Sequence, residues 1–214
     1  ALYCNKVMIY LLVLCFVCVN AVDQNFTCPY ITPREIDLKE LDGKWHLAAV
    51  ATDLEIEGDC ATILFNHKSN NTTDVSISWI LNNTVSFYNG SVALTVDDSG
   101  GDLLLVTYTD MKSETYSILD VNYEHYAVIF ACYNNSDGIS STYELWKLTR
   151  MPHVKKMDAT KIDQAIAKYG LEKTPFLHFN NTEDSCRINS GSPLSPASLI
   201  LTSAAALTLF RRLY

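Results

Sequence analysis

The cysteines carry the most legible chemistry, and the sequence divides them into two sets. Cys4, Cys15 and Cys18 fall in an N-terminal segment where Lys6 precedes an apolar run from Val7 to Val19, and Val19-Asn20-Ala21 offers small residues to a signal peptidase. Residues 1–21 read as a secretory signal peptide, which leaves Cys28, Cys60, Cys132 and Cys186 in the mature chain. An even number in an oxidising compartment implies two disulfides, but four cysteines allow three connectivities and sequence alone does not choose. The 31, 71 and 53 residues between them fit no compact zinc signature, so no metal site is expected.

No catalytic arrangement emerges. His46, His67, His125, His153 and His178 are scattered without metal-ligand spacing, and there is no Gly-x-Ser-x-Gly, His-Glu-x-x-His or phosphate-cradling glycine loop. Bridging all four mature cysteines closes the thiol route. The sequence argues against an enzyme and calls for no cofactor. With Lys6, Arg211 and Arg212 removed by processing, 13 basic residues face 24 acidic ones, a net charge of −11. Such a surface repels phosphate backbones, which argues against nucleic acid as a partner.

Modification chemistry is denser. Asn-x-Ser/Thr occurs at Asn25, Asn70, Asn71, Asn82, Asn89, Asn134 and Asn180, mostly in turn-like clusters, as in a heavily glycosylated surface protein; the overlapping Asn70 and Asn71 compete. Near the C-terminus, small residues at Asn189-Ser190-Gly191-Ser192 lead through a polar spacer into an apolar stretch from Leu199 to Phe210. This is the pattern of a glycosylphosphatidylinositol attachment signal, with Asn189 or Ser190 as attachment residue and 190–214 as the discarded propeptide. Twelve helical residues reach about 18 Å, short of the roughly 30 Å hydrocarbon core. The terminal Arg211-Arg212-Leu213-Tyr214 keeps a short transmembrane segment as the alternative.

The elements that position these residues lie in 22–189, the span of one domain. Gly43-Lys44-Trp45 opens a strand expected over 43–52, and Arg150 ends the last one. A glycine before the tryptophan lets the chain turn while the ring enters the core, and the guanidinium can lie on that ring. Further strands are expected over 60–66, 74–81, 85–96, 102–110, 114–121, 126–133 and 141–148, punctuated by Asn, Asp, Ser and Gly clusters. Asn89-Gly90 suggests a bulge or bend. The family resemblance described next implies that residues 33–38 wrap the base and that 53–59, polar except Leu54 and Ile56, form a lid over the mouth. Ile162, Ala165, Ile166 and Tyr169 share one face of a helix that Asp158 caps at its start and Gly170 at its end.

Gly43-Lys44-Trp45, Arg150, about eight strand signals and one following helix resemble the lipocalins. Asn122-Tyr123-Glu124-His125-Tyr126-Ala127-Val128-Ile129-Phe130-Ala131-Cys132 is similar to the apolipoprotein D and insect branch. The resemblance implies an all-β fold, an eight-stranded antiparallel up-and-down barrel with a C-terminal helix packed outside, its base closed by Gly43, Trp45 and Arg150. It also implies disulfides Cys28–Cys132 and Cys60–Cys186, and a cavity for a small hydrophobic ligand of the fatty acid or retinoid class. Trp79, Phe87, Tyr108, Tyr116, Tyr123, Tyr126, Phe130 and Trp146 are the aromatic residues from which a lining would be drawn. Lys147 facing outward turns Trp146 and Leu148 inward, so Trp146 leads the pocket expectation, followed by Tyr123, whose counterpart region lines the cavity in that branch. Leu148, Trp79, Phe87 and Tyr116 complete it. Many lipocalins carry Thr-Asp-Tyr where this chain has Val121-Asn122-Tyr123, so a contact made through that aspartate does not carry over. Both processed ends, the sequons and the two disulfides resemble neuronal surface lipocalins. That implies a place on the outer membrane leaflet, an unidentified cell-surface partner and a role in axon growth. A carrier whose main task is ligand transport is the alternative.

Overall fold

The computed structural model describes residues 27–188 apart from 33, 53, 55, 69–71, 99, 111 and 137–139. The expected signal peptide, the attachment tail with Asn189 and Ser190, and Asn25, Asn70 and Asn71 lie outside the described residues.

Eight strands run in chain order: β1 (Gly43–Ala51), β2 (Asp59–His67), β3 (Thr73–Leu81), β4 (Thr84–Val96), β5 (Asp102–Tyr108), β6 (Ser113–Asn122), β7 (Tyr126–Asn134) and β8 (Ser141–Thr149). Each pairs antiparallel with its successor, and β1 pairs with both β2 and β8, which closes the cylinder. After α1 (Lys156–Ala167), the two-residue β9 (Leu177–His178) adds to the upper part of β1, beyond the reach of β2. This is the expected up-and-down barrel with an external helix.

Alternation places Val75, Ile77 and Trp79 of β3 inside, and the ladder aligns Trp45 with Ile63. The strand β7 departs from simple alternation because both of its faces are covered. Ala127, Ile129 and Ala131 enter the barrel core, while Val128 and Phe130 meet Ile162 and Ile166 of α1. Irregularities between Leu47 and Ala49 and between Ile118 and Asp120 switch the facing parity within β1 and β6.

Two local expectations are corrected. The helix begins at Lys156 after Lys155, and no side chain caps it. Asp158 sits inside the first turn and pairs with His125 at 3.7 Å, so its charge favours the helix start without capping it. Gly170, at φ +73°, does end the helical segment. At Asn89-Gly90 the β3–β4 ladder runs without a register shift. Gly90 instead admits the Thr107 carbonyl, since a Cβ there would lie 2.6 Å from that oxygen.

Both disulfides join the expected partners. Cys28–Cys132 spans 104 residues and holds the N-terminal segment on β7, and Cys60–Cys186 spans 126 residues and holds the C-terminal segment beside β2. Each closes a loop long enough to contribute about 4–5 kcal/mol in the chain-entropy account.

Candidate ligand site in the barrel interior

The base is sealed. Trp45 is fully buried and its indole N–H donates to the Leu41 carbonyl at 2.8 Å. The Arg150 guanidinium lies 3.8 Å from the centre of the Trp45 ring. Its N–H groups donate to the carbonyls of Tyr123 at 2.8 Å, Asp42 and Glu40 at 2.9 Å and Lys44 at 3.3 Å. Gly43, at φ +91°, turns the chain beneath this contact, where a Cβ would touch Arg150 at 3.4 Å. One planar cation thus ties the entry of β1, the β6–β7 turn and the end of β8 into a single plug.

Tyr123 belongs to this end, not to the cavity. Its phenol oxygen accepts the Asp37 N–H at 3.0 Å and its carbonyl accepts Arg150, which corrects the expectation of a pocket role. Asn122 beside it accepts the Glu124 N–H at 3.1 Å, a turn role an amide fills as well as an acid. Leu148 is buried opposite Leu47 in the packed floor above Trp45.

Higher in the barrel, Trp146 is turned inward as the parity of Lys147 requires. Lys147 points outward but not into open water: it lies over the Phe176 ring at 4.1 Å and bonds Asp163 of α1 at 3.3 Å. Trp146 meets Tyr116 edge-on, with ring centres 6.4 Å apart. The two line an interior space with Tyr108, Ile77, Leu104 and Ile129. Unfilled volume among them is about 40 Å³, room for a few waters and far below the roughly 300 Å³ of an ordinary ligand pocket. Leu54 and Ile56 of the lid fold into the same core, and Ile56 is almost fully buried.

Trp79 also faces inward, near the mouth, and packs at 5.3 Å against Tyr88. Phe87 does not: it is 62 % exposed, and the expectation is corrected. The ladder sets Phe87 opposite Ser78, on the outer face, whereas Tyr88 sits opposite the inward Ile77. Tyr126 and Phe130 likewise face α1.

The interior holds a polar cluster that aromatic content did not reveal. Glu144, 4 % exposed, accepts the Thr52 hydroxyl at 2.8 Å, the Tyr116 phenol at 2.9 Å and the Trp146 indole N–H at 3.1 Å. Tyr116 also contacts Glu114, and its oxygen lies 3.2 Å from that of Tyr108. Burial pushes both phenols above their ordinary range, so they remain protonated donors. The signal was available: Glu144 is two residues before Trp146 and shares its face, as Glu114 shares that of Tyr116.

Among the described residues no three His, Cys, Asp or Glu converge on a metal-sized site. The sequon residues Asn82, Asn89, Asn134 and Asn180 are all exposed. No helix among the described residues is long and apolar enough to cross a membrane.

No family profile matches the sequence. The Lazarillo protein of the grasshopper Schistocerca americana is 23% identical over 172 residues, covering 77% of this chain and 78% of that protein. Among solved structures, lobster apocrustacyanin A1 superposes with a TM-score of 0.64 at 15% identity, covering 78% of this chain and 94% of its own. Insecticyanin from the tobacco hornworm Manduca sexta superposes with a TM-score of 0.63 at 17% identity, covering 77% and 92%.

Proposed function

We propose that this chain is a lipocalin, and a glycosylated cell-surface binding protein rather than an enzyme. It takes up a small hydrophobic molecule of the fatty acid or retinoid class against Trp146. The observation that carries this reading is the inward Trp146–Tyr116 pair above a sealed base, in an interior space lined by apolar and aromatic side chains. The similarity to Lazarillo and the anchor-like tail support a place on the outer leaflet, held by a glycosylphosphatidylinositol group at Asn189 or Ser190. They support a recognition role in axon growth through a cell-surface partner.

The small free volume favours recognition over bulk transport. Side chains fill most of the interior, so a ligand must displace them, and a protein whose main task is carriage gains nothing from that cost. Titration with retinol should quench tryptophan emission, and Trp146→Phe should remove most of the quenching; a folded variant that quenches like the parent puts the ligand elsewhere. Phosphatidylinositol-specific phospholipase C should release the protein from expressing cells. Retention, with an intact Leu213-Tyr214 terminus by mass spectrometry, would establish the transmembrane alternative.

A further inference from the structure

The outer wall of the barrel carries an apolar stripe that the interior site does not use. Phe87 of β4 is 62 % exposed, and Val85, two residues before it on the same face, is exposed as well. Two residues after Phe87 stands the exposed Asn89, the acceptor of the sequon Asn89-Gly90-Ser91. The β3–β4 ladder is regular throughout, so Phe87 and Asn89 share the outer face with their Cα atoms about 7 Å apart. Their partners across that ladder are Ser78 and Ser76, both small, and the Ser78 hydroxyl is bonded to that of Thr62 at 3.0 Å. No bulky side chain of β3 therefore rises opposite the ring or the amide. The main chain of Asn89 is held too, its carbonyl accepting the Thr109 N–H at 3.0 Å. Among the described sequons this setting is particular to Asn89. Asn134 has the bridged Cys132 two residues before it, Asn82 lies in the hairpin turn at φ +51°, and Asn180 turns its side-chain oxygen onto the N–H of Thr182 in its own sequon.

We propose that the Phe87 ring is the seat of the first sugar of an N-glycan carried at Asn89. The link is the ordinary one, in which Nδ2 of Asn89 loses a proton and bonds C1 of N-acetylglucosamine as the lipid pyrophosphate departs. The amide link lifts that sugar to the height of the neighbouring phenyl ring. One face of the pyranose is a row of C–H groups, and laying it on the ring takes apolar area of both out of water while the hydroxyls stay solvated. The glycan thereby covers an apolar stripe otherwise left to solvent. This rests on the reading of the chain as a glycosylated surface protein and deepens it by naming what one glycan touches.

The test is a thermal double-mutant cycle on the mature glycoprotein, with occupancy read by glycopeptide mass spectrometry and the forms that retain Asn89 purified with that site occupied. Asn89 should be occupied. Phe87→Thr, a change suited to an exposed strand position, should lower the melting temperature by about 2–4 °C more in the parent than in the Asn89→Gln background, as expected for a contact the size of one aromatic packing pair. Phe87→Tyr keeps the ring and should stay within about 1 °C of the parent. Endoglycosidase trimming that leaves a single N-acetylglucosamine at each site should preserve the difference, because only the first sugar meets the ring. An equal effect of Phe87→Thr in both backgrounds, a Phe87→Tyr that behaves like Phe87→Thr, or a difference lost on trimming overturns the inference. An unoccupied Asn89 beside occupied sequons elsewhere overturns it too, and leaves the glycosylated reading in place. If no sequon is occupied, both fall.

Discussion

The two ends of the barrel solve opposite problems with similar residues. At the base, Trp45 and Arg150 satisfy everything they touch: one indole N–H finds one carbonyl, and one guanidinium finds four. At the mouth, Trp146 donates to Glu144, which also accepts from Tyr116 and Thr52. A guanidinium that gathers main-chain carbonyls fixes the base as part of the scaffold, whereas hydrogen bonds between side chains set a polar group beside the rings that line the interior space. The comparison separates the residues that make the fold from those positioned to use it.

Removing the ring at the base should have the largest effect. Trp45→Ala opens a void beneath Arg150 and should cost about 3–5 kcal/mol, read as a lower urea midpoint. A loss below about 1 kcal/mol would mean that the base is not the structural end. Arg150→Lys keeps the charge but cannot reach several carbonyls in one plane, and should cost about 1–3 kcal/mol in the same measurement. At the mouth, Glu144→Gln should change stability by less than about 1 kcal/mol, because the amide still accepts from Thr52 or Trp146 and relieves a crowded pair of carboxyl groups. If it costs as much as Trp45→Ala, the two ends do not differ in the way described.

The smallest effect concerns acid. Burial, with Lys44 adding to it, holds His46 below its ordinary value of 6.5, and its Nδ1 has no partner among the described atoms. The folded value lies below the unfolded one, so the unfolded chain gains the proton first as pH falls. The contribution of neutral His46 is therefore complete above 6.5 and declines on acidification below it. The urea midpoint should fall between pH 7.5 and 5.5, and His46→Gln should flatten that slope; equal slopes would assign the acid sensitivity to other groups.

Much of this was legible beforehand, for identifiable reasons. Strict alternation in β3 gave its inner face, Lys147 gave the parity of β8, and the Gly43, Trp45 and Arg150 constellation gave the base. The disulfide partners followed from family resemblance, not from spacing. What escaped the sequence depended on register. Phe87 and Tyr88 are adjacent aromatics of similar size, and only the pairing with β3 shows which one enters. Tyr123 lies inside the region expected to line a cavity but folds into the turn that Arg150 grips. The irregularities in β1 and β6 reverse parity mid-strand without a glycine or proline to announce them. Glu144 was within reach, since the argument that turned Trp146 inward turned it inward too. A carboxylate does not stand out among the apolar residues expected to line such a cavity.

The three tryptophans stand at three levels: Trp45 in the sealed base, Trp146 beside the small interior space and Trp79 near the mouth. Labelling with 5-fluorotryptophan gives one fluorine signal for each, assignable by single Trp→Phe variants. On titration with dodecanol, the Trp146 signal should shift most, Trp79 should follow, and Trp45 should stay in place. A Trp45 signal that moves while Trp146 remains fixed would contradict the account.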